Sequence, residues 1–248
     1  GFELQLDGRI IDRAVKWDLG VNFSLNRSKV LVLSEDKDIF GGELDNTILK
    51  DQLNLMRVGE PMYVFYGYVE DGYDENGHIV YKNMDDDPAI TAADKTIIGD
   101  PNPDFTASLN LSFRWKKLDA SIFLNGVFGN DVLNTKTFGD PHNAALRWTP
   151  DNPTNKYPSL RDGRQTRFSD YWIEDGSFVR IQNLTVGYTF DLPKQKVFAS
   201  KIRLYMNASN LYTFTKFDGY DPEVGQNGIY SGGYPRLRKW TVGLDITF

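Results

Sequence analysis

Between residues 15 and 25 the chain alternates without a break. Val15, Trp17, Leu19, Val21, Phe23 and Leu25 are large and apolar, while Lys16, Asp18, Gly20, Asn22 and Ser24 are small or polar. Successive side chains of a strand point to opposite faces, so this segment is a strand with one apolar face and one polar face. Ordinary globular strands run to about 5–6 residues. A tilted strand that crosses a bilayer needs about 9–11. The same pattern returns at 2–6, 105–115, 118–128, 178–190, 202–208 and 240–248. In 178–190 the first half is out of phase, because Val179 and Ile181 are apolar where Leu184, Val186, Tyr188 and Phe190 set the face; a bulge near Gln182 and Asn183 would reconcile the halves. The last strand sets Trp240, Val242, Leu244, Ile246 and Phe248 against Thr241, Gly243, Asp245 and Thr247. A strand this regular, ending on an aromatic, would be an aggregation hazard in water unless paired or covered.

The connections alternate in length. Those at 8–14, 116–117 and 191–200 are short; those at 27–103, 129–176 and 214–234 are long. Transmembrane barrels have short turns at one end and long loops at the other. The parity closes if the first long excursion contributes an even number of strands. Residues 62–69 and 78–82 read as a hairpin around a turn at 71–77, and 44–56 reads as a short helix. Pro141, Pro150, Pro153 and Pro158 break regular structure in the second excursion.

Composition removes several classes of function. A net charge of -6 argues against a nucleic-acid partner, which would want a basic surface. Mean hydropathy is -0.45 and no apolar run reaches about 18 residues, so no transmembrane helix is expected; a barrel leaves only a weak hydropathy signal. Without cysteine there are no disulfides, thiolate metal sites or cysteine nucleophiles. His78 and His142 are the only histidines, and neither has a serine partner at a catalytic spacing, so an enzyme is not expected. The chain starts inside an alternating pattern, and we expect it to be part of a longer protein. Two architectures fit: a membrane barrel, and a soluble secreted β-rich lectin-like domain. Strand length and the one-sided long loops favour the barrel.

Nine stretches, in order, carry a family resemblance: GFEL at 1–4, PMYVFYGY at 61–68, IIGDPNPDFT at 97–106, GVFGND at 126–131, RWTPDNPTN at 147–155, DGSFVRI at 175–181, NASNLY at 207–212, GYDPE at 219–223 and YPR at 234–236. The chain resembles the C-terminal part of a SusC-like (SusC/RagA type) TonB-dependent outer-membrane transporter of Bacteroidetes. The resemblance implies an all-β fold, with residues 1–248 forming the C-terminal portion of a 22-stranded antiparallel barrel with long extracellular loops. The plug and the N-terminal strands would lie outside this chain. It implies active import of a nutrient too large for porins, with glycan considered before peptide, under a SusD-like surface lipoprotein lid and powered through TonB. A plug-free passive porin is the other transport alternative. Implied partners are membrane lipid and lipopolysaccharide, and the barrel assembly machinery, for which Phe248 resembles the terminal aromatic signal.

Two sets of loop residues are candidates for binding. Trp148, Tyr171, Trp172, Tyr212, Tyr220 and Tyr230, with Tyr234, lie in or beside the expected extracellular loops, where aromatic faces can stack on a substrate or meet a lid; they can equally pack loop on loop or form the outer girdle. Asn83, Asp85, Asp87, the Ala89 carbonyl and Asp94 stand at positions 1, 3, 5, 7 and 12 of an EF-hand-like loop, a spacing that wraps oxygens around calcium. Pro88 replaces the usual glycine and Asp94 the usual glutamate, and the family carries a closer match here, so the loop looks like a drifted copy. Structural calcium and a merely solvated acidic loop both remain open, and no other cofactor is required.

Overall fold

The computed structural model describes residues 1–43, 51–135, 146–154, 157–159, 167–193 and 199–248. Their strands are β1 (Phe2–Asp12), β2 (Val15–Leu25), β3 (Ile39–Glu43), β4 (Gln52–Met56), β5 (Val64–Gly67), β6 (Glu70–Tyr73), β7 (Ile79–Tyr81), β8 (Thr96–Gly99), β9 (Phe105–Trp115), β10 (Leu118–Phe128), β11 (Asp131–Asn134), β12 (Ile173–Asp175), β13 (Phe178–Asp191), β14 (Lys201–Thr215), β15 (Ile229–Tyr230) and β16 (Lys239–Thr247). Seven form one open sheet, the wall, in the order β1-β2-β9-β10-β13-β14-β16. Every neighbouring pair is antiparallel.

The register carries the alternation of each strand across the whole wall. Residues directly opposite share a face. Leu19, Leu111, Ile122, Leu184, Ala208 and Trp240 lie in one row; Trp17, Phe113, Ala120, Val186, Met206 and Val242 lie in the next. This apolar face is uncovered, with Val242 71% and Trp240 58% exposed. The expected bulge is present as a register shift between Ile181 and Asn183. It puts Val179 and Ile181 back on the apolar face, opposite Phe214 and Tyr212. The two-residue turn between β9 and β10 has Lys116 at φ 54, the sign that a type II′ turn demands at its first position.

The other face is a hydrogen-bonded polar layer. Asn22 donates to Ser108 (3.1 Å), Asn207 to Thr185 (2.8 Å) and Ser209 to Asn183 (3.0 Å). Near the short turns, Arg203 pairs with Asp119 (2.6 Å) and Asp245 (3.0 Å) and lies 4.8 Å from the Tyr205 ring centre. That ring occupies the space a side chain at Gly243 would need.

The long excursions fold into a cap. A four-stranded sheet, β3-β4-β5-β8, and a hairpin, β6-β7, come from the first; β12-β11-β15 joins the second to the third. Two expectations change here. Gln52–Met56, read as the end of a helix, is strand β4, because Leu53 and Leu55 must both enter the core while Asn54 holds the Tyr63 carbonyl; residues 44–50 lie outside the described residues. The strand expected at 62–69 divides. Val64–Gly67 pairs with β4 and β8, and the hairpin partner of Ile79–Tyr81 is Glu70–Tyr73.

The hydrophobic core sits in this cap rather than in the wall. Leu53 and Phe65 from the first excursion pack with Leu133, Phe168 and Trp172 from the second, and Ile229 of the third closes on them. Fully burying a side chain of this size is worth about 1.5–3 kcal/mol, so the three excursions hold one another together. At Gly228 (φ 69) an added Cβ would lie 2.5 Å from Pro101 and 2.7 Å from the Phe65 ring, so the third excursion can close only over a glycine.

Candidate functional site

Where the wall meets the cap, β13 carries Arg180 on the polar face, opposite Asn125 and Thr213. Its side chain is 2% exposed. It donates from Nε to Thr213 Oγ1 (2.9 Å), from Nη2 to Asp221 Oδ1 (2.6 Å) and from Nη1 to Glu223 Oε2 (2.6 Å), and lies 4.8 Å from the Phe178 ring centre. Arg236 grips the same two carboxylates from the returning leg of the excursion, at 2.5 Å and 2.9 Å. Two guanidinium groups and two carboxylates thus form one balanced network, which pins both legs of the third excursion to the wall. Sequence reasoning did not single out Arg180. The available signal was a lone arginine in a row otherwise occupied by Gln5, Asn22, Ser108, Asn125 and Thr213. The stretches 175–181, 219–223 and 234–236, which carried the resemblance separately, meet here.

Beside this network is a group of carboxylates. Asp131 Oδ2 accepts from the Asp100 backbone N–H (2.8 Å), Asp104 pairs with Arg27 (2.6 Å), and Asp175 accepts from the Ser177 backbone N–H (2.9 Å). Burial pushes the Asp131 carboxyl above the usual carboxylate range, and the charges of Asp100, Asp175 and Asp104 add to the push.

The six candidate aromatics do not form a common binding surface. Trp172 (3% exposed) is a cap-core residue, and Tyr171 packs edge-on against it at 4.8 Å. Tyr230 (7% exposed) packs edge-on against Phe217 at 5.2 Å, and its hydroxyl accepts from the Tyr220 backbone N–H (3.1 Å). Trp148 is half-buried against Gly77 in the β6–β7 turn. Tyr212 stands on the apolar face of the wall beside Phe214 (4.6 Å), the position of a girdle residue. Trp172 and Tyr230 fill cores and Tyr212 faces away from the polar side, the loop-packing and girdle positions that the sequence reading also allowed. Tyr220 is 76% exposed and stays available, as does Tyr234.

The acidic loop orders itself by successive Asx turns. Asn83 Oδ1 accepts from Asp85 N–H (3.0 Å), Asp85 Oδ1 from Asp87 N–H (2.9 Å), and Asp87 Oδ1 from Ala89 N–H (3.0 Å). Asp94 is fully buried, its two oxygens accepting from the Met84 and Thr91 backbone N–H groups (2.7 Å each), and these bonds hold its carboxyl below the usual range. Arg167 brings positive charge from the second excursion, donating to the Ile90 carbonyl (3.3 Å) while its guanidinium lies 5.1 Å and 5.2 Å from the ring centres of Tyr68 and Tyr81, which pack against each other. Among the described residues no group of three or more histidine or carboxylate side chains converges as metal ligands. Phe248, the assembly candidate, follows β16 and is 76% exposed.

No protein-family model matches the chain. It is 30% identical to TonB-dependent receptor P3 of Formosa agariphila, over all of this chain and 28% of that protein. It is 27% identical to TonB-dependent receptor SusC of Bacteroides thetaiotaomicron, again over the whole chain and 26% of that protein. Among solved structures, the RagAB peptide transporter matches with a TM-score of 0.82 and 24% identity over 99% of this chain and 28% of that one. The same importer in its 'open-open' state gives 0.80. The chain thus spans between a quarter and a third of the length of its curated relatives. A seven-stranded wall with one unbroken apolar face, a cap built by its long loops, and these matches make the chain a segment of a SusC-like TonB-dependent receptor.

Proposed function

We propose that the receptor containing this segment imports a nutrient too large for porins across the bacterial outer membrane, using energy delivered through TonB. The observation that supports this most is the wall. Its apolar face runs uncovered over seven strands, a patch no monomeric soluble protein sustains in water but one that lipid would cover. A secreted lectin-like domain offers no reason for that face. In this reading the segment is the C-terminal part of the barrel, the cap is extracellular, and β16 pairs with a strand outside this chain. Phe248 serves as the terminal signal to the assembly machinery. A SusD-like lipoprotein closes over the cap, and Tyr220 and Tyr234 are the residues placed to meet it or the substrate. The substrate is an oligomer, either glycan or peptide; the RagAB neighbour is described as a peptide importer.

Growth on defined nutrients tests this. A strain lacking the receptor gene should lose growth on one class of oligomer, and complementation should restore it only when TonB is present. Restored uptake without TonB would overturn active transport in favour of a passive porin. A receptor that fractionates as soluble protein without detergent would overturn the membrane reading.

A further inference from the structure

The apolar face of the wall is bounded at both ends by aromatic side chains. Phe105 and Trp115, the ends of the 11-residue strand β9, lie about 34 Å apart along it. At the tilt of about 40° that barrel strands take, this is about 26 Å along the membrane normal, the height of a lipid-facing band. The cap end carries a line of phenylalanines, Phe2, Phe23, Phe105 and Phe128, with successive ring centres 6.4 Å, 5.3 Å and 4.7 Å apart. The short-turn end carries Trp17, Trp115 and Tyr188, between 39% and 44% exposed. A phenylalanine ring offers nothing polar to a lipid headgroup. The indole N–H and the phenol O–H do, at the level where headgroups begin.

Two cations stand at this second rim without a carboxylate. Lys116 opens the β9–β10 turn, is exposed, and holds its Nζ 5.1 Å from the Trp115 ring centre. Its φ of 54 belongs to a turn position that favours glycine or asparagine, so the charge is kept there against the local preference of the backbone. Arg13 is exposed in the β1–β2 turn, two residues before Val15, which lies directly opposite Trp115. Neighbouring cations are neutralised: Lys117 is bound to Asp191 (3.2 Å), Lys16 to Asp12 (3.5 Å), and Arg9 to Asp12 (3.0 Å) and Asp18 (2.9 Å). Neither Lys116 nor Arg13 has an ion pair among the described residues. An ammonium group laid over an exposed indole, at the edge of an apolar face, keeps its stem on hydrocarbon and its charge in the headgroup layer.

We propose that Trp115, Lys116 and Arg13 bind the headgroup of an anionic glycerophospholipid in the periplasmic leaflet. This rests on the membrane reading above and adds to it a preference among lipids. A zwitterionic headgroup carries its own ammonium, which offsets the attraction of its phosphate; an anionic headgroup gains from both cations. The apolar band continues directly into the rim, so the acyl chains of the same lipid lie against Val15, Trp17 and Phe113, which share the apolar face.

The test uses purified full-length receptor in detergent, titrated with phosphatidylglycerol and with phosphatidylcholine and read by native mass spectrometry. Inorganic phosphate serves as competitor. Phosphatidylglycerol should bind more tightly than phosphatidylcholine. Lys116→Asn, which tolerates the left-handed turn, and Arg13→Gln should each weaken phosphatidylglycerol about 5-fold, the effect of one cation near a lipid surface, and barely change phosphatidylcholine. Lys117→Gln should leave both unchanged. A persisting heat-modifiable band identifies the folded variants, and Arg13→Gln carries the test should Lys116→Asn lose it. Equal binding of the two lipids, or a loss in Lys117→Gln as large as in Lys116→Asn, would overturn the site. Displacement of phosphatidylglycerol by inorganic phosphate would overturn the lipid assignment in favour of a free anion. The membrane reading fails separately, in a receptor that fractionates as soluble protein without detergent.

Discussion

Removing Arg180 should release the third excursion while sparing the wall. Arg180→Met keeps most of the apolar stem and deletes the guanidinium. The variant leaves Asp221, whose side chain is 15% exposed, and Glu223, at 43%, with Arg236 alone. Breaking a buried pair by removing one partner costs about 3–5 kcal/mol. Glu223 is open enough to recover water, and Arg236 still neutralises part of the charge, so the lower end, about 3 kcal/mol, is expected here. At about 1.4 kcal/mol per tenfold, the open form of the excursion should become about 100-fold more populated. Hydrogen exchange on full-length receptor would show this as faster exchange of the amides at 217–230, with β9 and β10 unchanged. Trypsin should cut sooner after Arg236, Arg238 and Lys239. Arg236→Met should cost less, about 1 kcal/mol, because its own side chain is 42% exposed. Equal exchange rates in wild type and Arg180→Met would refute the reasoning, as would an Arg236 variant that opens the excursion as far as the Arg180 variant does.

Leu133→Ala should destabilise the cap by about 2–5 kcal/mol, since Leu133 is fully buried between residues of different excursions; limited proteolysis should rise in all three excursions while the heat-modifiable barrel band persists, and cutting confined to the second excursion would contradict a shared core. The Arg57 guanidinium, bound at 2.7 Å and 3.1 Å, holds the Asp38 carboxyl below the usual range. A lowered folded pKa gives stability that is complete above the unfolded value of about 3.9 and lost as pH falls through the folded one. Protease resistance around β3 and β4 should therefore be level from pH 7 to pH 5 and drop below about pH 4, with a smaller drop in Arg57→Met; equal drops in both would count against the pair. Deleting Phe248 should lower the amount of heat-modifiable barrel in the outer membrane, and an unchanged amount would sink its role as an assembly signal.

The wall could be read from the sequence because each of its strands meets the same two environments along its whole length. In β2, β9, β10 and β16 every second residue answers to one face, and the alternation survives in 9–11-residue blocks. Even the break in phase within β13 located a real bulge. The cap gave no such signal. Its strands are two to five residues long, too short for a period to show. Leu53 and Met56 are spaced for one face of a helix and Leu53 and Leu55 for one face of a strand; what decides for a strand is Phe40, Val64 and Phe65 from elsewhere, which no local pattern reports. The loop aromatics were ambiguous for a related reason. An aromatic in a long polar loop looks like a ligand contact when the core is assumed to lie in the sheet. Here the sheet spends its apolar face outward, so the ordinary hydrophobic core has to be built by the loops, and Trp172, Phe168 and Tyr230 are its material. Arg180 was missed by the same assumption, because a charged residue on a polar face suggests solvent until a distant Asp-Pro-Glu is folded back onto it. In a chain whose sheet faces lipid, then, loop aromatics are to be assigned to a cap core first, and polar-face arginines to be searched for carboxylates in the loops that return to them.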